Sequence, residues 1–208
     1  MRNRAGRPPA QPLAYVALGD SYTIGTGVGQ DERWPVQLAA RVGPGRLRLV
    51  GNVGVNGYTT GDVIQYEIPR LASLRPGFAS LLIGVNDVVQ GVADATFRGN
   101  AEAILEALLD NVRANRIVVV STPDYTLTPE GARYGDPEVQ RARIVSNNTV
   151  MAELAAIRKI TVVDIFDLSA RVRDEPSLVA GDGLHPSGEQ YRLWVDRIAP
   201  HVERLIRD

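Results

Sequence analysis

The chain has 208 residues, a length that suits one domain, and its 44% hydrophobic and 23% charged residues are ordinary values for a globular protein. The formal net charge of −1 gives no electrostatic reason to expect a nucleic acid or an anionic membrane as a partner. The sequence contains no cysteine and only two histidines, which excludes disulfides, thiolate nucleophiles and multi-histidine zinc sites, so we expect neither a metal nor a cofactor.

The first predicted element is an N-terminal tail over residues 1–12, which is rich in arginine, proline and glycine. The tail lacks the apolar stretch of a secretory signal, so we expect a flexible segment ahead of a single domain over residues 13–208. No apolar run approaches the roughly 20 residues needed to cross a bilayer. We therefore expect a cytoplasmic protein without stable membrane insertion, and no sequence pattern indicates an oligomeric state.

Five short apolar runs recur at wide spacing along the rest of the chain. Each run is rich in valine, isoleucine or leucine and is bounded by turn residues, which is typical of strands buried on both faces of a parallel sheet. The predicted strands are residues 15–18, 47–53, 78–83, 117–120 and 161–165.

Helical patterns alternate with these strands. Thr59 or Thr60 can cap the second helix, Pro69 is expected to kink or break it, and Pro200 is expected to bend the last one. The alternation predicts an α/β sandwich with a parallel sheet, in which ligands bind beyond the carboxyl ends of the strands. The predicted helices are residues 34–42, 62–74, 97–114, 137–157 and 187–206.

Residues that could take part in catalysis follow three of the predicted strands. Ser21 belongs to the Gly-Asp-Ser sequence at 19–21, where the first strand turns sharply into a helix. Gly57 lies in the loop after the second strand, and Asn86 follows the third strand directly. Taken singly, each has an ordinary structural explanation as a turn residue, a loop glycine or a helix cap.

A fourth group lies near the C-terminus, where Asp182 precedes His185 by three residues between glycines and a proline. That spacing lets the carboxylate meet one imidazole nitrogen within a turn. Together the four groups supply a hydroxyl, an imidazole, a carboxylate, a backbone N–H and a side-chain amide, which is the equipment for acyl transfer. Four independent structural explanations would otherwise have to coincide.

The neighbouring polar and aromatic residues suggest supporting roles. We expect Asp20 and Asp87 to hold loop backbone by hydrogen bonds, and Asp124 and Asp164 to be structural or to form pocket wall. The aromatic candidates for the pocket wall are Tyr22, Trp34, Tyr125 and Tyr134, of which Trp34 is expected in the core.

The ordered set of four blocks resembles the GDSL, or SGNH, hydrolase family from residue 13 to about residue 207. The resemblance implies a three-layer α/β/α sandwich with a flavodoxin-like, five-stranded parallel sheet. It also implies that Ser21 is the nucleophile, His185 the general base and Asp182 the carboxylate that orients the base. The implied oxyanion hole consists of the backbone N–H groups of Ser21 and Gly57 and the amide of Asn86.

The chain departs from the family pattern at two positions, since Tyr22 replaces the name-giving leucine and Val85 replaces a glycine that is often present. Neither position supplies a catalytic atom, so we expect a changed pocket shape and retained chemistry.

The resemblance implies a serine carboxylic-ester hydrolase acting on short-chain or small acyl esters, with a small-molecule ester as its substrate. The alternatives on the same fold are a carbohydrate acetyl esterase, a thioesterase and a lysophospholipase, or a binding protein without catalysis. A nucleotide-binding α/β domain is more remote, because the glycines at 25, 27 and 29 do not have the fingerprint spacing.

Overall fold

The computed structural model describes residues 11–207 and contains a sheet of five parallel strands. The strand order is β2-β1-β3-β4-β5, the flavodoxin-like order that reverses between β1 and β3. All five predicted strands are confirmed, because strands covered on both faces carry uninterrupted apolar runs. The strands are β1 (Leu13–Gly19), β2 (Leu47–Asn52), β3 (Phe78–Leu82), β4 (Ile117–Val120) and β5 (Thr161–Val163).

Helices of very different length connect the strands. Three long helices and one of nine residues cover the sheet, while the others are single turns. Their bounds are α1 (Ser21–Ile24), α2 (Trp34–Val42), α3 (Thr60–Asp62), α4 (Leu71–Leu74), α5 (Val85–Val89), α6 (Asp94–Asn111), α7 (Pro137–Ile157), α8 (Phe166–Ser169) and α9 (Gly188–Leu205).

The side chains of β1 alternate between two hydrophobic clusters, one on each face of the sheet. Tyr15 and Ala17 belong to the cluster that contains residues of α2 and α9, whereas Val16 and Leu18 belong to the cluster that contains residues of α6 and α7. The predicted three-layer α/β/α arrangement is therefore confirmed.

The helix boundaries follow the predictions where the sequence carries a capping side chain or a proline in the first turn. Helices α2 and α7 have the predicted limits, and α9 begins after Ser187, whose hydroxyl accepts the N–H of Gln190. Helix α6 starts and ends three residues earlier than predicted. Its N-cap is Ala93, whose methyl side chain cannot accept a capping hydrogen bond and so gives no sequence signal for the start. The chain leaves the helix at Val112 in an extended conformation.

The predicted helix over residues 62–74 is correct in place but wrong in form. It begins at α3, capped by Thr59, and continues as a π-helical turn over Val63–Glu67 and a 3₁₀ turn over Ile68–Arg70 before α4. Pro69 has no N–H to donate to the fourth residue before it, so a regular α-helical hydrogen-bond ladder is broken there. Proline thus distorts this segment without ending it.

The predicted tail over residues 1–12 lies almost entirely outside the described residues, so the tail and the single domain over 13–208 stay predictions. Between residues 11 and 207, no helix combines the length and the apolar character required to span a bilayer. The cytoplasmic location also stays a prediction.

Candidate active site

Four of the predicted site residues meet at one cavity of about 210 Å³ at the carboxyl edge of the sheet, namely Ser21, Gly57, Asn86 and His185. Ser21 follows β1 and Asn86 lies in α5 after β3, so the cavity lies where the strand order reverses and open α/β sheets bind ligands. The remaining wall consists of Tyr22, Asn56, Val85, Val89, Tyr125, Tyr134 and Leu184.

A glycine and a capping aspartate form the turn that carries Ser21. Gly19 has φ +148°, and a Cβ at this position would lie 2.1 Å from the carbonyl oxygen of Leu82, so only glycine allows β1 to end against β3. Asp20 is the N-cap of α1, and its Oδ1 accepts the N–H of Tyr22 at 3.0 Å. Ser21 is therefore the first residue of a fixed helical turn and is 7% exposed.

Asp182 organises the loop that carries His185. Its Oδ1 accepts the N–H groups of Leu184 and His185, each at 2.9 Å. Its Oδ2 lies 2.6 Å from Nδ1 of the imidazole. One carboxylate oxygen thus fixes the loop backbone and the other fixes the ring, which leaves Nε2 as the imidazole nitrogen available to the cavity.

The electrostatic setting of Asp182 keeps its carboxylate ionised. Partial burial acts to raise its pKa, but hydrogen bonds from two backbone N–H groups and from the imidazole together lower the pKa below its usual value. The loop is anchored on its far side by a hydrogen bond from the N–H of Ala180 to the carbonyl oxygen of His185 at 2.7 Å.

Gly57 approaches the cavity from a loop and Asn86 from α5, and hydrogen bonds join the two segments. Nδ2 of Asn86 donates to the carbonyl oxygen of Tyr58 at 2.9 Å, and Nε2 of Gln90 donates to the carbonyl oxygen of Gly57 at 2.9 Å. An amide nitrogen carries two N–H bonds, so Asn86 retains one for a ligand. Gly57 has φ +82°, a conformation that presents its backbone without strain.

The carboxylates expected to support the loops do so. The fully buried Asp20 binds the turn after β1 as described, and the fully buried Asp87 accepts the N–H and the hydroxyl of Thr60. Asp164 accepts the Ser121 hydroxyl at 2.7 Å. Asp124 pairs with Arg141, so these carboxylates are structural as predicted.

The aromatic residues divide as expected between pocket and core. Tyr22, Tyr125 and Tyr134 line the cavity, whereas Trp34, the first residue of α2, is fully buried. The Tyr22 ring lies 5.3 Å from the imidazole of His185, measured between centroids. The residue that replaces the family's leucine therefore forms part of the wall behind the histidine.

Sequence reasoning missed Glu67, which is 1% exposed although it is a carboxylic acid. Its Oε2 accepts the N–H of Gly19 at 2.9 Å, so it binds the turn that carries Ser21. The sequence carried a signal, because Glu67 is spaced four residues from each of two apolar residues, Val63 and Leu71, and so shares their helical face. Both of these residues are fully buried in the structure.

The sequence profile of the GDSL-like lipase/acylhydrolase family matches residues 17–193, a range that includes every residue of this cavity. The chain belongs to this family. It is a carboxylic ester hydrolase, and the family resemblance stated from its sequence blocks is confirmed.

Two relatives and two solved structures are similar to this family member. Lipase 1 of Streptomyces coelicolor is 26% identical over 197 residues, covering 75% of this chain and 72% of that protein. Esterase TesA of Pseudomonas aeruginosa is 22% identical over 199 residues, covering 95% of this chain and 91% of that protein. An acetylxylan esterase from Geobacillus stearothermophilus superposes with a TM-score of 0.73 at 20% identity, over 97% of this chain and 100% of that one. The lipase/acylhydrolase from Enterococcus faecalis superposes with a TM-score of 0.72 at 23% identity, over 93% of this chain and 97% of that one. Both structural similarities establish the fold.

Proposed function

We propose that this GDSL-family enzyme hydrolyses esters of short or small acyl groups, with Ser21 as nucleophile, His185 as general base and Asp182 as the orienting carboxylate. One observation carries the proposal: Ser21 and His185 line the same cavity, while Asp182 binds the imidazole nitrogen that faces away from it at 2.6 Å. An alcohol, a base and a carboxylate in this order form the serine-hydrolase arrangement.

The proton transfers follow from this arrangement. Nε2 of His185 takes the proton of the Ser21 hydroxyl as Oγ attacks the ester carbonyl carbon, and the imidazolium formed is stabilised by the ionised Asp182. The imidazolium returns that proton to the departing alcohol, leaving an acyl-serine. Water then attacks the acyl carbon and gives a proton to Nε2, and the imidazolium passes that proton to Oγ as the acid departs, which restores the Ser21 hydroxyl.

The negative charge that develops on the carbonyl oxygen requires donors. The N–H of Ser21 lies in the first turn of α1, where helix geometry provides no intrahelical acceptor. We assign the other two donors to the N–H of Gly57 and the second N–H of the Asn86 amide. Such preorganised donors are usually the largest single contribution to acyl-transfer catalysis.

The cavity supports a small substrate. Its volume of about 210 Å³ is below the roughly 300–1,000 Å³ of pockets that enclose drug-sized ligands. The wall includes the apolar side chains of Val85, Val89 and Leu184, and we assign the acyl group to them. Thioesters, lysophospholipids and acetylated carbohydrates remain the competing substrate classes.

The decisive experiment is active-site labelling with a fluorophosphonate followed by peptide mass spectrometry. We expect the label on Ser21, no label in Ser21→Ala, and unchanged labelling in the matched control Ser73→Ala, whose hydroxyl lies on the exposed side of α4. A panel of p-nitrophenyl esters from acetate to dodecanoate should show kcat/KM falling with the longer chains. Label on another residue, or ester hydrolysis by Ser21→Ala at the wild-type rate, would refute the proposal.

A further inference from the structure

Two buried carboxyl groups bind the turn that carries Ser21: Asp20 belongs to the turn, and Glu67 comes from the π-helical turn. Glu67 and Asp20 are 1% and 0% exposed. One oxygen of each accepts a single backbone N–H, from Gly19 at 2.9 Å and from Tyr22 at 3.0 Å, respectively. The other oxygens, Oε1 of Glu67 and Oδ2 of Asp20, are buried without a hydrogen-bond partner anywhere in residues 11–207. Ionising both carboxyl groups in this setting costs free energy, because a buried carboxylate is stable only with hydrogen-bond donors or a cation beside it.

Little positive charge faces Glu67. The turn contributes Asp20, the preceding helix α3 contributes Asp62, and the following 3₁₀ turn contributes Arg70, which is exposed to solvent. Asp87 lies beyond Asp20 and adds a further negative charge.

The two longer elements that pack against this segment do not neutralise Glu67. In β1 the only titratable side chain is Tyr15. Its hydroxyl is hydrogen-bonded to the Ser80 hydroxyl, and its ring belongs to the hydrophobic cluster on the other face of the sheet. The charged side chains of α6 that form ion pairs find their partners in α7 or at Arg158, the residue that follows it; these side chains are Asp94, Arg98, Glu102 and Glu106.

This setting favours the neutral acid. Burial, reinforced by the nearby charge of Asp20, raises the pKa of Glu67 to about 8, although the Gly19 N–H acts in the opposite direction. Burial, reinforced by Asp87, raises the pKa of Asp20 to about 7. Near neutral pH the pair therefore carries at most about one negative charge.

We propose that Glu67 is a positioning residue for the nucleophile: it keeps a proton on Oε1 in the active enzyme, holds Gly19 through Oε2, and displaces the Ser21 turn when it ionises. Ionisation places a second negative charge beside Asp20 with no donor for Oε1. The repulsion is relieved by moving the end of β1 away from the π-helical turn. This inference rests on the proposed role of Ser21 as nucleophile.

A metal-binding role for these acids is not supported by their arrangement. Within residues 11–207, no group of three or more histidine, cysteine or carboxylate side chains is placed to hold an ion. The alternative is a purely structural carboxylic acid, and a pH profile separates that role from positioning.

The test compares kcat/KM for a short p-nitrophenyl ester between pH 6 and 10 in wild type, Glu67→Gln and Glu67→Leu. Ionisation near pH 8 predicts that wild type at pH 9 retains about one tenth of its own plateau. Glu67→Gln keeps an oxygen for Gly19 and cannot ionise, so it should retain more than half of its plateau at pH 9. Glu67→Leu loses the acceptor, so its kcat should fall with little change in KM.

The matched control is Glu153→Gln, an exposed acid on α7 that should keep the wild-type profile. A Glu67→Gln profile that overlays the wild-type profile overturns the positioning role, provided that Ser21→Ala is inactive. If Ser21→Ala is active, the proposed function falls as well, and the two failures are thereby distinguished.

A second measurement, the Tm of wild type and of Glu67→Leu, covers the case in which Glu67→Gln does not fold. A group that is protonated when buried and ionised when exposed takes up a proton on folding, so the Tm must fall from pH 6 to pH 9. A wild-type Tm that is constant over this range overturns the proposal. Because Asp20 contributes to a fall as well, a fall that is smaller in Glu67→Leu than in wild type supports the proposal, and an equal fall overturns it.

Discussion

Replacing Asp182 by asparagine tests the geometry of the histidine loop most directly. In the native loop Oδ1 accepts two backbone N–H groups and Oδ2 faces one imidazole nitrogen. The asparagine side chain has one oxygen. In the position of Oδ1 that oxygen accepts both backbone N–H groups, whereas in the position of Oδ2 it would accept only one hydrogen bond, so the side chain turns its NH₂ group towards Nδ1. Nδ1 then becomes the acceptor and the imidazole proton moves to Nε2, the nitrogen that must accept the proton of Ser21.

The size of the effect follows from this change of tautomer. The same carboxylate-to-carboxamide exchange in a serine-protease triad lowers kcat by roughly 10⁴-fold with the geometry intact. That factor corresponds to about 5 kcal/mol in the activation free energy. Since the loop backbone retains both of its hydrogen bonds, we expect the Tm of Asp182→Asn to stay close to the wild-type value.

The assay is steady-state hydrolysis of a short p-nitrophenyl ester, with Asp196→Asn on the exposed side of α9 as control. We expect a loss of roughly 10⁴ in kcat for Asp182→Asn and no loss for the control. The reasoning would be refuted by a folded Asp182→Asn enzyme with more than a tenth of the wild-type kcat, because the carboxylate would then not determine the tautomer.

Two further predictions concern the oxyanion donor and the buried tyrosines. Asn86→Ala should lower kcat by roughly 10²–10³-fold while remaining folded by circular dichroism, and wild-type turnover would contradict the assignment. Tyr15→Phe should lose about 1 kcal/mol in the free energy of unfolding, because its hydroxyl bonds Ser80 at 2.7 Å. Tyr22→Phe should lose nothing, since the Tyr22 hydroxyl is buried without a partner among residues 11–207; equal losses in the two variants, measured by urea unfolding, would contradict this contrast.

The sheet could be predicted because its strands are covered on both faces. The residues Phe78–Leu82 are all buried, and such a strand appears in the sequence as an unbroken apolar run. The blocks at the strand ends could be predicted because parallel strands bring their carboxyl ends to one edge. Ser21 after β1 and Asn86 after β3 therefore had to approach each other once the strand order was known.

The remaining features depend on contacts between distant segments. The π-helical turn over Val63–Glu67 is a choice of backbone hydrogen-bond partner, and no side-chain type encodes it. The placement of Tyr22 against His185 joins positions 163 residues apart and depends on the path of the final loop. Glu67 was missed because a single acid in a helical pattern ordinarily faces solvent.

The three acids around the site show how one residue type takes opposite protonation states. Asp182 has three donors, two backbone N–H groups and the imidazole, and its pKa is lowered. Asp20 and Glu67 have one backbone donor each and are fully buried, and their pKa values are raised. The number of donors, weighed against the loss of hydration, decides the charge of each.

The opposite shifts bound the pH range in which the proposed machinery is complete. The lowered pKa of Asp182 contributes stability that is present above its unfolded-state pKa and is lost as the pH falls through the folded value. The raised pKa of Glu67 contributes stability that is present at low pH and is lost as the pH rises through about 8. Between these limits the carboxylate behind His185 is charged while Glu67 at the Ser21 turn is neutral, so the acid that must be ionised and the acid that must be protonated share one working range.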